Sequence, residues 1–488
     1  MKLSSALARL LRLRLEIALI VALGLAALGS GINEAPLVDW DEATYAEVTH
    51  EALAAHDYLR FTWNNEPYVK KPPLLFWTLA ASFGALGESE FAARLPSVVF
   101  GAGTLVLIYL SATLAAGRLA GTLAALIPLQ FYFFVARGGR ECATDAPLLF
   151  FMTLAIYATL RARGSRRWAA VAGVASGLAI LSKGLAGTLA LIVAPLAVVL
   201  VPGFETVGTA GLTTIFVCAG AVATPWYVYA AFHNPLFWSS FVGHETLARI
   251  VRHLEDETRP GSYTLRVFAE EARFLWPLLL PLGALTLTAE RRVAAGEILG
   301  RLHPAVGLWL VWLAIALGAA CAVQTKLPWY VLPALMPVAL LGGTLAARTL
   351  TYRGPMRTAV ISMDALALML IALHAPARWN LIADAHHVQR LRSAPSYAMG
   401  LKARRAAALA GGGELYFAGV ELPTLVYYAR MRCKFVKSSN DLTRITDPGA
   451  AAPPPVERNE LMLVDSQGRA LPITTLDAEW QLSGDSSP

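Results

Sequence analysis

This chain is short of charge. Asp, Glu, Lys and Arg supply 15% of its 488 residues, where soluble globular proteins carry about 25%. With 56% of residues hydrophobic, that scarcity argues against a soluble fold and sends the apolar surplus into lipid. Cysteine is scarcer still. Cys142, Cys218, Cys321 and Cys433 show neither paired nor metal-ligand spacing, so neither a disulfide framework nor a zinc site is indicated, and small apolar fillers describe all four. Walker, Rossmann and nucleophile-elbow patterns are also missing, which leaves a cytoplasmic nucleotide-driven mechanism without support. A formal net charge of +7 would suggest a nucleic-acid partner in a soluble protein. Here the basic residues sit in short loops between apolar runs, where they set membrane topology instead.

Membrane-length apolar sequence is what the chain does have. A span needs ~20 mainly apolar residues, with ~17 tolerable. On that measure about eleven helices are expected, near 13–31, 92–116, 119–136, 145–161, 168–183, 185–201, 209–231, 272–289, 304–323, 329–347 and 357–375. The run 15–28 follows Arg9, Arg12 and Arg14 as a signal peptide would, yet no small-x-small cleavage site follows it, so it reads as a retained first helix. Segment 72–87 is apolar but short and is followed by Glu88 and Glu90, which suits an interfacial or re-entrant position.

The basic loops orient this layout. Lys2, Arg9, Arg12 and Arg14, then Arg118, then Arg161, Arg163, Arg166 and Arg167, then Arg291, Arg292 and Arg301, then Arg348, Arg353 and Arg357 all fall on one face if the helices alternate. The positive-inside rule makes that face cytoplasmic. The N-terminus is then inside and everything beyond about residue 375 outside. The fold expected is a polytopic α-helical membrane protein. Its spanning domain covers 1–375, with a first outer loop at about 32–91. Beyond lies a small C-terminal α/β domain, 376–488, with strand-like runs 414–417, Cys433–Val436 and Glu460–Val464, a helix-like stretch 423–432 and a Pro/Ala-rich connector 447–455. No internal repeat suggests the duplicated halves of a transporter.

Placed on that topology, the polar clusters gather on the outer side. They are the first loop, 38–71, with Asp39, Asp41, Glu42, Tyr45, Lys70 and Lys71; Arg137, Arg140, Glu141 and Asp145; Ser182-Lys183-Gly184; Thr224-Pro225-Trp226-Tyr227; the loop 233–259; and 324–330, which holds Lys326 and Tyr330. A permease would scatter such groups about the midplane. Each cluster has a plainer reading. Asp41 and Glu42 could cap a helix starting near Ala43, and Lys183 and Lys326 could be snorkelling lysines. Arg140 and Asp145 could be a local ion pair, His244, Glu245, Arg249 and His253 ordinary loop residues, and Trp226, Tyr227, Trp329 and Tyr330 an aromatic belt. The chemistry open to the set is nonetheless specific. A carboxylate near the membrane surface can deprotonate or orient an acceptor hydroxyl, and cations around it can neutralise the phosphate of a lipid-linked donor.

The motifs Asp41-Glu42-Ala43-Thr44-Tyr45-Ala46-Glu47, Asn65 through Lys70-Lys71-Pro72-Pro73 to Trp77, and Ala93-Arg94-Leu95-Pro96-Ser97 resemble the start of bacterial GT-C glycosyltransferases. The closest resemblance is to the group related to aminoarabinose transferases and protein O-mannosyltransferases. Arg140-x4-Asp145, the run from Gly177 to Gly184, Thr224 to Val228 and Thr325 to Pro333 continue the pattern in order, across about residues 35–340. The resemblance implies an inner-membrane enzyme that uses a polyprenyl-phosphate sugar donor at the periplasmic face and inverts the anomeric carbon by single displacement. By it, Asp41 matches the first-loop catalytic acid and Asp145 the second acidic position. Lys71 matches the lysine before the double proline, and Lys183 and Lys326 match positions near the lipid-phosphate pocket. With Arg140 these cations would hold the donor phosphate, and Glu42, Tyr45, Lys70, Trp226, Tyr227 and Tyr330 would line the substrate pocket. The family often carries Arg where this chain has Thr44, and an acid or His where it has Lys70. That departure makes the pocket more basic and leaves a divalent metal without support from the sequence.

The expected function is therefore transfer of a sugar from an undecaprenyl-phosphate donor to lipid A or another envelope glycan, with no nucleic acid involved. One alternative is transfer to protein Ser/Thr. Another, of a different class, is a lipid-linked sugar flippase, which would move lipid without making a glycosidic bond. A catalytically dead scaffold would follow if Lys70 abolished donor binding.

Overall fold

The computed structural model describes residues 2–254, 259–279, 303–353, 357–358, 360–363, 365–366, 369, 396–418, 421–436, 460–464 and 470–473, with side chains from residue 11 onward except at 276, 278, 279, 418, 460 and 470–472. The expected span 357–375, most of 272–289, the basic residues 291, 292 and 301, and the connector 447–455 lie wholly or mainly outside them. By packing, the chain divides into two compact units. One comprises Met1–Ile32, Val69–Thr78 and Arg94–Ala385, and the other Asn33–Tyr68, Leu79–Ala93 and His386–Pro488.

The first unit is helical. Among the described residues, five helical runs are long and apolar enough to cross a membrane: Glu90–Ala116, Arg166–Leu200, Glu205–His233, Pro304–Ala322 and Pro328–Leu350. The run Arg166–Leu200 is not one straight rod. A helix Arg166–Lys183 ends at Gly184 (φ 51°) in a 3-10 turn, Gly184–Thr188, before the helix Leu189–Leu200. A side chain on Gly187 would come within 2.2 Å of the Ala179 carbonyl, a residue that a straight helix would leave about 12 Å away. The chain therefore turns back at this point.

The expected continuous span 119–136 is broken. A helix Arg118–Leu126 passes into a 3-10 turn, Ile127–Gln130, and then a short helix, Tyr132–Ala136. Pro128, which has no N–H to give, sits at the start of that turn. Helices meet closely where the sequence places small residues. Gly173 and Gly177 lie against Ile215 and Ala219 of the helix Gly208–His233, where added side chains would come within 2.4 Å and 2.8 Å of the Ile215 and Ala219 carbonyls. This is the small-xxx-small arrangement that lets membrane helices approach backbone to backbone.

The second unit draws on distant parts of the chain. The helix Asp41–Ala55 packs on the helix Pro423–Ala429. A two-stranded hairpin joins β1 (Phe61–Trp63) to β2 (Glu66–Tyr68) through Asn64 and Asn65, both at positive φ, a conformation Asn tolerates better than most residues. The strands β3 (Glu414–Ala418), β4 (Cys433–Val436), β5 (Glu460–Val464) and β6 (Ala470–Pro472) form a sheet in the order β4-β3-β5-β6. Only β3–β4 is parallel, and the helix Pro423–Ala429 crosses over between them. Leu415, Phe417, Leu425, Val426, Leu461 and Leu463 form its core, with Ala403 and Ala406 from a helix at 396–409. Asn64 joins hairpin to sheet: its side chain donates to the Cys433 carbonyl at 2.7 Å and accepts the Cys433 N–H at 2.8 Å.

Candidate active site

In the helical unit the polar residues gather around Asp145, the first residue of the helix Asp145–Arg161 and 1% exposed. Lys183, the last residue of its own helix, donates to Asp145 Oδ1 at 2.5 Å, and Arg137 Nε donates to Oδ2 at 3.4 Å. Arg137 also reaches Glu141 at 3.3 Å, and its guanidinium lies 4.1 Å over the Trp329 ring. The Lys183 ammonium lies 5.8 Å from the Tyr330 ring centre. These positions follow from helix ends. Asp145 opens one helix, where a carboxylate is favoured, and Lys183 closes another, where a cation is. The Pro328–Val331 turn supplies the two aromatics.

A second ionic group borders the same Gly184 break. Lys71 donates to Glu245 Oε2 at 2.9 Å, and Arg249 and His244 lie within 3.3 Å and 3.4 Å of the same carboxylate. Burial pushes the Glu245 carboxyl up, but the charges and hydrogen bonds of Lys71 and Arg249 outweigh it and hold the group at about 2. A side chain at Gly184 would meet Phe241 at 3.4 Å, the Tyr227 hydroxyl at 3.6 Å and Pro72 at 3.9 Å. The lysine that follows Ser182 and the segment Lys71-Pro72 thus converge on one glycine. Tyr227 donates to the Ile180 carbonyl at 3.2 Å, and Trp226 is buried beside it.

Two of the cations expected at the donor phosphate bond to helix-end carbonyls. Arg140 donates to the carbonyls of Ala27, Leu28 and Ser30, closing the helix Lys2–Gly29. Lys326 donates to the carbonyls of Cys321 and Val323 at the end of Pro304–Ala322, and its own carbonyl accepts Arg259 at 3.0 Å. Both serve orphan carbonyls at helix C-termini. The ion pair considered between Arg140 and Asp145 is made instead by Arg137. Arg137, Glu245 and Arg249 were not singled out as site residues, although the four-residue spacing of Glu245 and Arg249 offered a signal.

In the second unit, Asp41 is the first residue of its helix and accepts the Tyr45 hydroxyl at 2.8 Å. Glu42 and Tyr45 are buried, and Glu42 Oε2 accepts the Val38 N–H at 3.0 Å. Asp39 accepts the Thr424 N–H at 2.8 Å and the Ser396 hydroxyl at 2.7 Å. Lys70, in the helical unit, is exposed. Among the described residues, no three His, Cys, Asp or Glu side chains are grouped to hold a metal ion. Around Asp145 and Gly184 the cations outnumber the carboxylates. Such a cluster suits a phosphate, which Lys meets as a point charge and Arg with its planar fork.

Residues 70–238 match the family described as dolichyl-phosphate-mannose-protein mannosyltransferase. Among individual proteins, the chain is 26% identical over 312 residues to undecaprenyl phosphate-alpha-4-amino-4-deoxy-L-arabinose arabinosyl transferase 2 of Pseudomonas fluorescens, covering 62% of this chain and 51% of that one. It is 28% identical over 321 residues to the corresponding transferase of Yersinia pestis, covering 64% and 55%. The chain thus spans about half the length of these curated relatives. In fold it resembles the crystal structure of ArnT from Cupriavidus metallidurans bound to undecaprenyl phosphate, with TM-score 0.67, 19% identity and coverage of 90% and 89%. It also resembles the Archaeoglobus fulgidus oligosaccharyltransferase, with TM-score 0.50, 15% identity and coverage of 77% and 56%.

Proposed function

We propose that the chain is an integral-membrane glycosyltransferase that moves a sugar from an undecaprenyl-phosphate carrier to lipid A or another envelope glycan. The observation that carries this reading is the cation-rich cluster around buried Asp145 in a bundle of membrane-length helices. The similarity to undecaprenyl phosphate-alpha-4-amino-4-deoxy-L-arabinose arabinosyl transferases favours an aminoarabinose-type donor. Lys71, Lys183 and Arg137 neutralise the donor phosphate, and Asp145 holds the latter two in place. Arg140 and Lys326 act through the helix ends they close.

Asp41 is the base. An acceptor hydroxyl passes its proton to the Asp41 carboxylate as its oxygen attacks the anomeric carbon. The bond from that carbon to the phosphate oxygen breaks, its electron pair leaves with undecaprenyl phosphate, and the configuration inverts. In the helical unit Lys70, Trp226, Tyr227 and Tyr330 serve the donor, and in the second unit Glu42 and Tyr45 flank the base. The enzyme sits in a bacterial inner membrane with about eleven spans, its N-terminus cytoplasmic and its C-terminal α/β domain periplasmic. The one-sided basic loops support this orientation.

The test is Asp41→Asn in purified, folded protein, given undecaprenyl-phosphate-linked aminoarabinose and lipid A. Loss of a positioned general base costs ~10²–10⁴-fold, so transfer should fall at least about 100-fold; undiminished transfer sinks the assignment. The family match over 70–238 favours a second reading, transfer to protein Ser/Thr. Mass spectrometry of lipid A and of secreted proteins from a deletion strain separates the two.

A further inference from the structure

Trp40 combines two features that ordinary packing would avoid. It is a tryptophan at positive φ (φ 73°, ψ −101°), and it is 59% exposed. The chain on both sides is buried and tied down. Before it, the Leu37 N–H is taken by the Tyr428 hydroxyl at 2.9 Å, and Asp39 is held by Thr424 and Ser396. After it, Glu42 reaches back to Val38, the Ala43 N–H donates to the Val38 carbonyl at 3.1 Å, and Thr44 donates to Trp40's own carbonyl at 3.0 Å. Leu37, Ala43 and Tyr45 are almost completely buried. These fixed points force the backbone at residue 40 and send its ring outward. Glycine would meet the backbone demand without strain and without an exposed indole. Backbone strain of this kind collects at functional sites.

What lies next to the ring indicates the ligand. The following residue is Asp41, whose carboxylate already accepts a hydroxyl, that of Tyr45. An exposed aromatic ring and a carboxylate on consecutive residues are the two groups that meet a saccharide: a ring covers the C–H face of a sugar, and a carboxylate accepts its hydroxyls. Lys71, Lys183 and Arg137, the cations suited to a phosphate, belong to the other compact unit. We propose that Trp40, the exposed residue immediately before Asp41, is a stacking platform for the sugar ring of the acceptor. This rests on the transferase reading above.

The experiment is steady-state transfer by the full-length protein in nanodiscs, with undecaprenyl-phosphate-linked aminoarabinose as donor and lipid A as acceptor. The variants are Trp40→Ala, Trp40→Gly and Trp40→Phe. The expected result is a rise of about tenfold in the acceptor KM for Ala and Gly, with the donor KM and kcat within about twofold of wild type. Phe restores most of the acceptor KM. Gly separates ring from backbone, because it relieves the positive φ and keeps or raises Tm while still losing acceptor affinity. An unchanged acceptor KM in both Ala and Gly variants overturns the inference. So does an equal rise in both KM values, which a general loss of membrane seating would give. Those outcomes leave the transferase reading intact, whereas a folded wild-type protein that transfers no sugar to lipid A or protein overturns both.

Discussion

Asp145 shows how much a single buried charge can organise. It is 1% exposed and shared by Lys183 and Arg137, so Asp145→Asn leaves two cations without their common counter-ion. Breaking a buried pair from one side costs about 3–5 kcal/mol. Thermal unfolding should therefore show a large loss of Tm, with the donor KM rising alongside it. Arg140→Ala should cost about 1–3 kcal/mol of stability for lost helix-end hydrogen bonds, seen as a lower Tm, and leave the donor KM near wild type. Glu47 offers a pH signature. It is buried in the helix Asp41–Ala55, and burial lifts its carboxyl to about 7 against the pull of His50 and Arg430, with Glu51 and Glu88 pushing the same way as burial. Below pH 4.5 the group is protonated both folded and unfolded and contributes nothing. As pH rises towards 7 only the unfolded chain ionises freely, so stability falls, and the deficit is complete above 7. Glu47→Gln should thus raise stability by up to about 3 kcal/mol at pH 8 and change little at pH 4.5, measured as Tm across that range. The charges at 145 and 183 stood out in the sequence because they interrupt apolar runs. Arg137 and Glu245 show in the sequence only as members of polar loops, because only the fold brings 137 to 145 and 71 to 245.

At the scale of elements, the hydrophobic runs announced most helices, since lipid leaves a spanning chain few other ways to satisfy its backbone. The breaks were harder to read. Gly184 punctuates two runs visibly, and the structure turns the chain there. Pro128 is hidden inside an apolar stretch and still ends a helix. The β1–β2 hairpin was missed because its strands are three residues each, too short for a period-two pattern. Its Asn64-Asn65 pair was the available cue, and the side chain of Asn64 has a second role against Cys433. Asn64→Ala removes both clasping bonds and leaves buried backbone groups unsatisfied, for about 1–3 kcal/mol. Denaturant or thermal unfolding followed at Trp63, which stacks on Phe435 at 6.4 Å, should report that loss directly.

For the whole molecule, the sequence pattern separated a greasy first part from a polar last part, and missed that packing joins the first loop to the last hundred residues. Tyr428 serves both Leu37 and Glu90, Arg430 pairs with Glu88, and Thr424 holds Asp39. None of these pairings has a local signal, because each links residues more than 300 positions apart. A chain truncated near residue 385 would keep every family motif and lose the partners of its Asp41 helix. It should bind donor and fail to transfer, a split that donor binding and product formation measure separately. The discontinuity also sets a timetable for biosynthesis. At ~5–20 residues per second, the Asp41 segment leaves the ribosome some 20–75 s before the helix Pro423–Ala429 that packs on it. For that interval the Asp41 segment lacks the helix it packs on, and it is more open to proteases than in the finished fold.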